Sequence, residues 1–428
     1  MASIILVGCG SSQEAARSGD GACQVRTRRF QLALEREGFL AEVFYTTGFL
    51  SDMKRLKELL ARRSGLHGMV AISPFPAETA VMAGTRLPLW IDMNGMHAAE
   101  VQLTGGDYTK HRMQLARMLS LDSALLMRGD RFSTPSRRQR IAVLAELLLL
   151  GRLDAASLCI DPVSAVPHCV MPDLDTSLRS GRRRKDGDFL VISAGSFNRW
   201  FDHRTLFHAI EAAMARDPGI RFTAAGGPVP HSPGSWEEFG KMVAESQFRD
   251  RISMPGWLAR EDLDRLFAEA DAAVFADIPC PETEMGARTR ALDWIAWGIP
   301  VVCTRGTEIS EDIADEGLGL VVPQSSPGAM AEAILSLKAD PGLSSAIAER
   351  QKSWGEGRGS MGEAFRPVVE WATCPQRLPT RPLGRAPIPG FQTMAYSMLL
   401  VREMSLSRGV LSALRKAFLR LKQIRARS

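Results

Sequence analysis

Apolar runs of strand length alternate with amphipathic stretches of helix length, and the alternation runs through the chain twice. In the first half, residues 3–8, 40–45, 68–73 and 87–92 read as strands, and 24–37 and 51–63 as helices. Residues 110–150 read mostly as helix, with one short strand near 132–134. Short continuous apolar runs suit strands buried on both faces, and the helices between them supply the crossovers that parallel pairing requires. A polar stretch, 177–188 (SLRSGRRRKDGD), interrupts the pattern. It then restarts, with strands at 189–194, 220–225, 272–276, 299–304 and 318–322 and helices at 202–216, 261–270, 287–297, 308–315 and 327–337. The fold class this implies is α/β: two Rossmann-like doubly wound domains, 1–176 and 189–371, joined by a linker at 177–188.

Residues 372–390 carry Pro375, Pro379, Pro382, Pro387 and Pro389. Each lacks a backbone N–H, so a Pro-rich linker is expected there. Beyond it, 391–428 reads as a basic tail. Leu406, Val410, Leu411, Leu414, Phe418, Leu421 and Ile424 fall on one helical face, with arginines and lysines around them. From Gln376 onward there are 11 Lys or Arg and one acid, although the whole chain carries only +5. A basic tail on a mildly acidic body points to an anionic membrane surface; docking on the protein's own body is the alternative. Without interleaved aromatics or a reader motif, no nucleic acid partner is expected.

The 428 residues are 45% hydrophobic and 24% charged, which excludes a disordered chain and a coiled coil. The longest apolar stretch, 142–150, is broken by Glu146 and is too short to span a bilayer. The N-terminus reads as a first strand and not as a signal peptide. Seven scattered cysteines without a CxxC pair suit a reducing cytosol and give no support to zinc.

In open α/β sheets, ligands bind beyond the carboxyl ends of the strands. Gly8 and Gly10 follow the first strand, where glycines let a backbone approach a phosphate or sugar. The dinucleotide fingerprint fails, however: Gln13 stands where its last glycine belongs, and no acid follows the second strand. A nicotinamide oxidoreductase is therefore disfavoured. Asp92, Asn94, His97 and Glu100 gather after the fourth strand, where they can orient sugar hydroxyls or move a proton; an Asn-Gly turn with an Asp cap is the plainer alternative. Residues 281–293 (PETEMGARTRALD) place Glu282 and Glu284, then Gly286, then Arg288 and Arg290, then Asp293 around a helix start. Arginines can fork onto phosphate oxygens, and a carboxylate can accept both ribose hydroxyls. The alternative is a solvated helix with local Glu–Arg pairs. The aspartate pairs Asp173/Asp175 and Asp262/Asp264 border a linker and a helix start, so no metal is expected.

Residues 281–323 (PETEMGARTRALDWIAWGIPVVCTRGTEISEDIADEGLGLVVP) resemble the donor-binding region of GT-B glycosyltransferases similar to family 4. Residues 195–210 (GSFNRWFDHRTLFHAI) and 256–275 (GWLAREDLDRLFAEADAAVF) resemble segments of the same second domain, and IDMNG and STPSRRQR resemble first-domain segments. The likeness spans roughly the first 350 residues.

The resemblance implies a retaining, metal-independent transfer of sugar from a nucleotide-sugar, with that co-substrate and no cofactor. It implies Asp293 at the ribose, Glu282 or Glu284 near the donor sugar, and Gly286 offering backbone N–H groups. Two departures stand out. Glu284 and Asp293 are nine apart, and the second acid is Asp. The Arg and Lys that grip the diphosphate are missing, with Ser196 and Phe201 near their places. Gly195 lies in the same loop, and Arg199, Arg288 or Arg290 is expected to supply the charge. The first domain would offer a glycan or lipid-linked acceptor to Gly8, Gly10, Asn94 and Glu100, with His97 and Asp92 as catalytic candidates beside the two glutamates. A cytoplasmic enzyme, also peripheral on the inner membrane face, follows. The alternatives are a degenerate GT-B scaffold subunit and, further off, a sugar-nucleotide epimerase.

Overall fold

The structure, a computed structural model, describes residues 2–10, 22–46, 49–103, 108–154, 161–171, 176, 188–229 and 234–378. The expected tail helix at 391–428, nearly all of the linker at 177–188, and most of the Pro-rich linker lie outside the described residues.

The first domain runs β1 (Ser3–Cys9), α1 (Ala22–Arg36), β2 (Leu40–Thr46), α2 (Phe49–Arg62), β3 (Leu66–Ile72), α3 (Pro74–Met82), β4 (Leu89–Asp92), α4 (His97–Leu103), α5 (Tyr108–Arg128), β5 (Arg131–Thr134), α6 (Arg137–Leu149) and β6 (Val163–Ala165). The second runs β7 (Phe189–Phe197), α7 (His203–Arg216), β8 (Ile220–Pro228), α8 (Gly234–Glu245), β9 (Ile252–Gly256), α9 (Arg260–Glu269), β10 (Ala272–Phe275), α10 (Pro281–Met285), α11 (Thr289–Ala296), β11 (Val301–Thr304), α12 (Glu308–Asp315), β12 (Gly319–Val322) and α13 (Pro327–Ala339). Two more helices follow, α14 (Pro341–Glu356) and α15 (Met361–Thr373).

Among the described residues the strands form two parallel six-stranded sheets, ordered β2-β1-β3-β4-β5-β6 and β12-β11-β10-β7-β8-β9. Both faces of each central strand are covered, which is why β1, β4, β10 and β11 read as unbroken apolar runs. Side-chain caps set where several helices begin. Ser136 accepts from the Gln139 N–H, Asp202 from Thr205 and Thr307 from Ser310.

The alternation expected from sequence is present, with differences that have physical causes. Helix α3 opens on Pro74 with Pro76 following, a start that proline permits but that masks the helical period. Strand β6 has only three residues, too few to show alternation. The larger difference is α15. The sequence boundary put everything to residue 371 in the second domain. Instead Met361, Ala364, Phe365, Val368, Trp371 and Ala372 pack against Ile4, Leu6, Phe30, Val70 and Trp90 of the first. Its apolar face has no place to bury on the second sheet, which is already covered, so the chain crosses back. Trp90 and Trp371 meet edge to face at 5.5 Å.

One polar feature of the first domain is a stability liability. Asp122 on α5 is half-buried, and one of its oxygens is buried with no hydrogen-bond partner. Burial, together with the nearby Glu146 carboxylate of α6, pushes its pKa up to about 7. A carboxyl raised in the folded state stabilises below its unfolded pKa, and that stability is lost as pH rises toward 7. Asp122→Asn is therefore expected to raise the thermal midpoint by several degrees at pH 8 and to change it little at pH 4. Equal shifts at both pH values would count against the account.

Candidate functional site

Segments that leave the carboxyl end of β5 in the first sheet meet segments that leave β10 and β11 in the second, and the candidate residues of the cleft between the domains come from such strand exits. The domains are also fastened directly. At the start of α6, the Arg137 and Arg138 N–H groups donate to the two carboxylate oxygens of Glu308, at 3.0 and 2.5 Å. The second domain thus supplies an anion to the open N-terminus of a first-domain helix, where the helix dipole favours it. Ser136 Oγ donates to the Met285 carbonyl at 2.5 Å. The Arg138 guanidinium donates to the carbonyls of Gly306 (2.8 Å) and Glu284 (3.2 Å) and pairs with Glu311.

The donor side begins at three adjacent strand exits. Gly195 pairs with Gly226, Ser196 with Gly227, and Ala225 with Gly256, so glycines floor the ends of β7, β8 and β9. A Cβ on Gly226, at φ +123, would lie 2.0 Å from the Gly195 carbonyl oxygen, so no other residue fits there. On one side of this floor stands Arg290, from α11. Its Nη2 donates to the Ser196 carbonyl at 2.8 Å, and its guanidinium lies 5.2 Å from the Phe201 ring centroid. Its Nη1 is buried without a partner, and among the described residues no carboxylate forms an ion pair with it. Burial pushes its pKa down to about 10, Arg288 adding to the shift while Asp277 and Glu282 oppose it; at neutral pH it stays charged. On the other side stands Trp257, at the exit of β9 and 53% exposed. Its indole nitrogen would lie 2.6 Å from a Cβ on Gly227.

Several donor-side expectations need correction. Arg288 is buried and committed to its own loop. Its Nε donates to Asp277 at 2.8 Å, and Nη1 and Nη2 donate to the two oxygens of Glu282 at 3.2 and 3.0 Å. Burial alone would lower the Arg288 pKa, but the two carboxylates outweigh it and raise it. Neither Arg288 nor Glu282 is free to meet a sugar or phosphate in this arrangement. The Gly286 N–H is spent on the Glu282 carbonyl at 2.7 Å, and a Cβ there would strike Glu282 Oε1 at 2.4 Å. This glycine serves the loop's own packing and offers no free donor. Glu284 faces solvent with its carbonyl toward Arg138. Arg199 is exposed. Asp293 keeps 35% of its side chain exposed but leans on Arg29 of the first domain at 3.6 Å. Arg29 in turn lies 3.2 Å from His168 Nδ1. Burial, then the charges of Arg26 and Arg29, hold His168 well below its usual pKa, so its neutral ring accepts that bond.

The first-domain side divides cleanly. Asp92, expected as a catalytic group, is 0% exposed. Arg26 grips both of its oxygens, at 3.0 and 2.8 Å, and Ser133 Oγ donates to it at 2.6 Å while accepting from the Trp90 indole. It is a buried structural pair, formed because an acid at the end of a fully covered strand must find a cation. Gly8 is glycine for the sake of helix packing, since a Cβ would lie 2.4 Å from Thr27 Oγ1. Gly10, at φ +120, closes β1. Asn94 Nδ2 reaches Ser73 Oγ at 3.4 Å. His97 and Glu100 lie on α4, facing α10. Burial, opposed by Arg288, raises the Glu100 pKa, and burial lowers that of His97. Among the described residues no group of three or more His, Cys, Asp or Glu is arranged to hold a metal ion.

Nothing in the residue pattern singles out Arg29, Arg138 or Glu308. Arg29 and Arg138 sit in basic runs that read as helix surface, and Glu308 reads as a helix start. Trp257 carried a usable signal: a large aromatic directly after a glycine at a strand exit.

Losing one partner of a buried ion pair costs about 3–5 kcal/mol. Asp92→Ala should therefore destabilise the whole chain by that amount in denaturant unfolding. Unchanged stability with loss of turnover alone would return Asp92 to the chemistry.

Residues 188–340 match the family model described as Glycosyl transferases group 1. Comparison with curated protein sequences returns no match. Among solved structures, the chain is similar to sucrose-phosphate synthase from Thermosynechococcus elongatus, with TM-score 0.60, 16% identity, and coverage of 86% of this chain and 100% of that one. It is similar to WaaG, a glycosyltransferase involved in lipopolysaccharide biosynthesis, with TM-score 0.61, 14% identity, and coverage of 87% and 99%. Anabaena HepE in complex with UDP and glucose gives TM-score 0.60, 14% identity, and coverage of 87% and 99%. The paired parallel sheets and the similar solved structures give the chain the GT-B fold, and its second domain, over residues 188–340, matches the group 1 glycosyl transferases.

Proposed function

We propose that the chain moves a glycosyl group from a nucleoside-diphosphate sugar, held on the second domain, to a glycan or lipid-linked acceptor presented by the first. The observation that carries this is Arg290: a charged guanidinium with no acid partner among the described residues and a buried N–H to spare, beside a floor of glycines. A buried cation without an anion is costly unless something supplies the anion. A diphosphate does so, and Arg290 then takes over the role of the Arg and Lys that this chain lacks. Trp257 stands two strands away from β7, about 10 Å at sheet spacing, which suits a nucleobase joined through ribose to the phosphates. HepE, with the same fold, holds UDP and glucose.

In this reading Arg290 stabilises charge on the departing nucleoside diphosphate, the task a divalent cation performs elsewhere. Transfer then proceeds without a metal. Retention of the anomeric configuration is part of the proposal and rests on the likeness of residues 281–323. The working location is the cytoplasm. The basic residues of 391–428 are proposed to bring the chain to an anionic membrane; the described residues hold no helix long and apolar enough to cross one.

A second reading has its own support. Glu282 and Asp277 are taken up by Arg288, and Asp293 leans on Arg29, so these three carboxylates already have partners. On that ground the chain is a binding subunit that holds nucleotide without turnover.

Calorimetry with UDP- and GDP-sugars tests the first step. Losing a hydrogen-bonded charge contact costs about 1.5–3 kcal/mol, so Arg290→Ala should weaken nucleotide binding about 10- to 100-fold. Trp257→Ala removes base stacking worth about 1–3 kcal/mol, yet should leave inorganic pyrophosphate binding unchanged. No saturable binding by wild type would refute the transferase reading. Binding without transfer or donor hydrolysis, across acceptors and in EDTA, selects the binding subunit. The product anomer, read by NMR, tests retention.

A further inference from the structure

The exit of β3 carries a feature that neither the donor site nor the domain fastening uses. Ser73 has φ 71 and ψ 153, a region that glycine occupies readily and a serine only under strain. Surroundings hold it there: its N–H donates to the Asp92 carbonyl at 3.0 Å, and its Oγ accepts from Asn94 Nδ2. The next residues are Pro74-Phe75-Pro76, so Phe75 is fixed at the mouth of α3 between two prolines. Its ring is 43% exposed. His97 meets it edge to face at 5.8 Å, and the Arg117 guanidinium lies 5.8 Å from its centroid.

The polar groups around this ring are of mixed kind. His97 Nδ1 is buried and has no partner. Glu100 folds back over the turn, its Oε1 being 2.9 Å from where a Cβ on Gly95 would stand, and it faces Arg288 and Glu282 of the donor loop. One carboxylate and one guanidinium balance, and the amide and imidazole are neutral. The cluster thus combines a single aromatic surface with several hydrogen-bonding groups and no net charge. An apolar groove for a lipid chain would need more apolar surface, and a phosphate site would need unopposed cations. A sugar ring fits the combination: one face is apolar C–H, and the rim is hydroxyls.

We infer that Phe75 is the platform of an acceptor subsite that binds an uncharged pyranose residue, with Asn94, His97 and Glu100 meeting its hydroxyls. This rests on the transferase reading and narrows its acceptor from glycan or lipid-linked molecule to the sugar residue itself. The strain at Ser73 aims the Pro-Phe-Pro segment into the cleft, and α4 sets the hydroxyl partners opposite the donor loop.

Saturation-transfer NMR on the full chain tests it, with methyl glucoside, methyl galactoside and methyl mannoside as neutral probes, and glucuronate and glucose 6-phosphate as charged ones. UDP and GDP binding is measured in the same samples. The expected result is transfer to the ring protons of at least one neutral glycoside. Affinity falls about tenfold in Phe75→Ala and is kept in Phe75→Tyr, while nucleotide affinity is the same in all three. Nucleotide binding with no neutral glycoside bound overturns the subsite and leaves the donor site standing. Binding of charged probes alone, or equal glycoside affinity in Phe75→Ala, also overturns it. A folded chain that binds neither nucleotide nor glycoside overturns the transferase reading and the subsite together.

Discussion

A guanidinium held among protein atoms without a carboxylate is the constraint around which the second domain is arranged. Arg290 is fixed by the Ser196 carbonyl and the Phe201 ring, and neither of these neutralises it. Its position depends on α11 starting directly after the Arg288 loop. That loop keeps its shape because Arg288 is clamped by Asp277 and Glu282. The two arginines therefore divide the work. Arg288, with two acids, stiffens the loop, and Arg290, with none, remains available to an anion. The glycines at the exits of β7 and β8 complete the arrangement, since a Cβ on Gly195 would press on the Arg290 guanidinium, one on Gly226 would strike the Gly195 carbonyl, and one on Gly227 would strike the Trp257 indole.

The same logic of supplying a missing partner fastens the domains. A helix begins with N–H groups that have no acceptor, and α6 receives one from Glu308 in the other domain. The chain of contacts from His168 through Arg29 to Asp293 links a first-domain helix to α11. Helix α11 thus carries both a residue facing the donor floor and one engaged with the opposite domain. Opening of the cleft would act on both. Helix α15, returning to the first domain, sets the second point at which the chain passes between the lobes.

The fold was legible because parallel sheets covered on both faces write themselves as apolar runs, as in residues 3–8 and 299–304. What failed was the assignment of polar residues to roles. Asp92 and Arg288 have the right chemistry at strand exits, yet both are satisfied internally by partners distant in sequence or hidden by the turn: Arg26 for the first, Asp277 and Glu282 for the second. A sequence gives the inventory of charges and not their pairing. Gly8 and Gly286 failed for a related reason, since each is glycine to admit a neighbouring side chain. Arg290 was visible as one of three arginines, but only the pairing of Arg288 with two acids and the exposure of Arg199 separate it from the others. Phe75 carries no such cue, because exposure cannot be read from a residue type.

The central claim is that Arg290 is unpaired because a nucleoside diphosphate pairs with it. A crystal structure of the full chain soaked with UDP or GDP tests it most directly. The account predicts phosphate oxygens within hydrogen-bond distance of the Arg290 guanidinium and the base against Trp257. Nucleotide seated elsewhere, with Arg290 still turned to Ser196 and touching no phosphate, would contradict it.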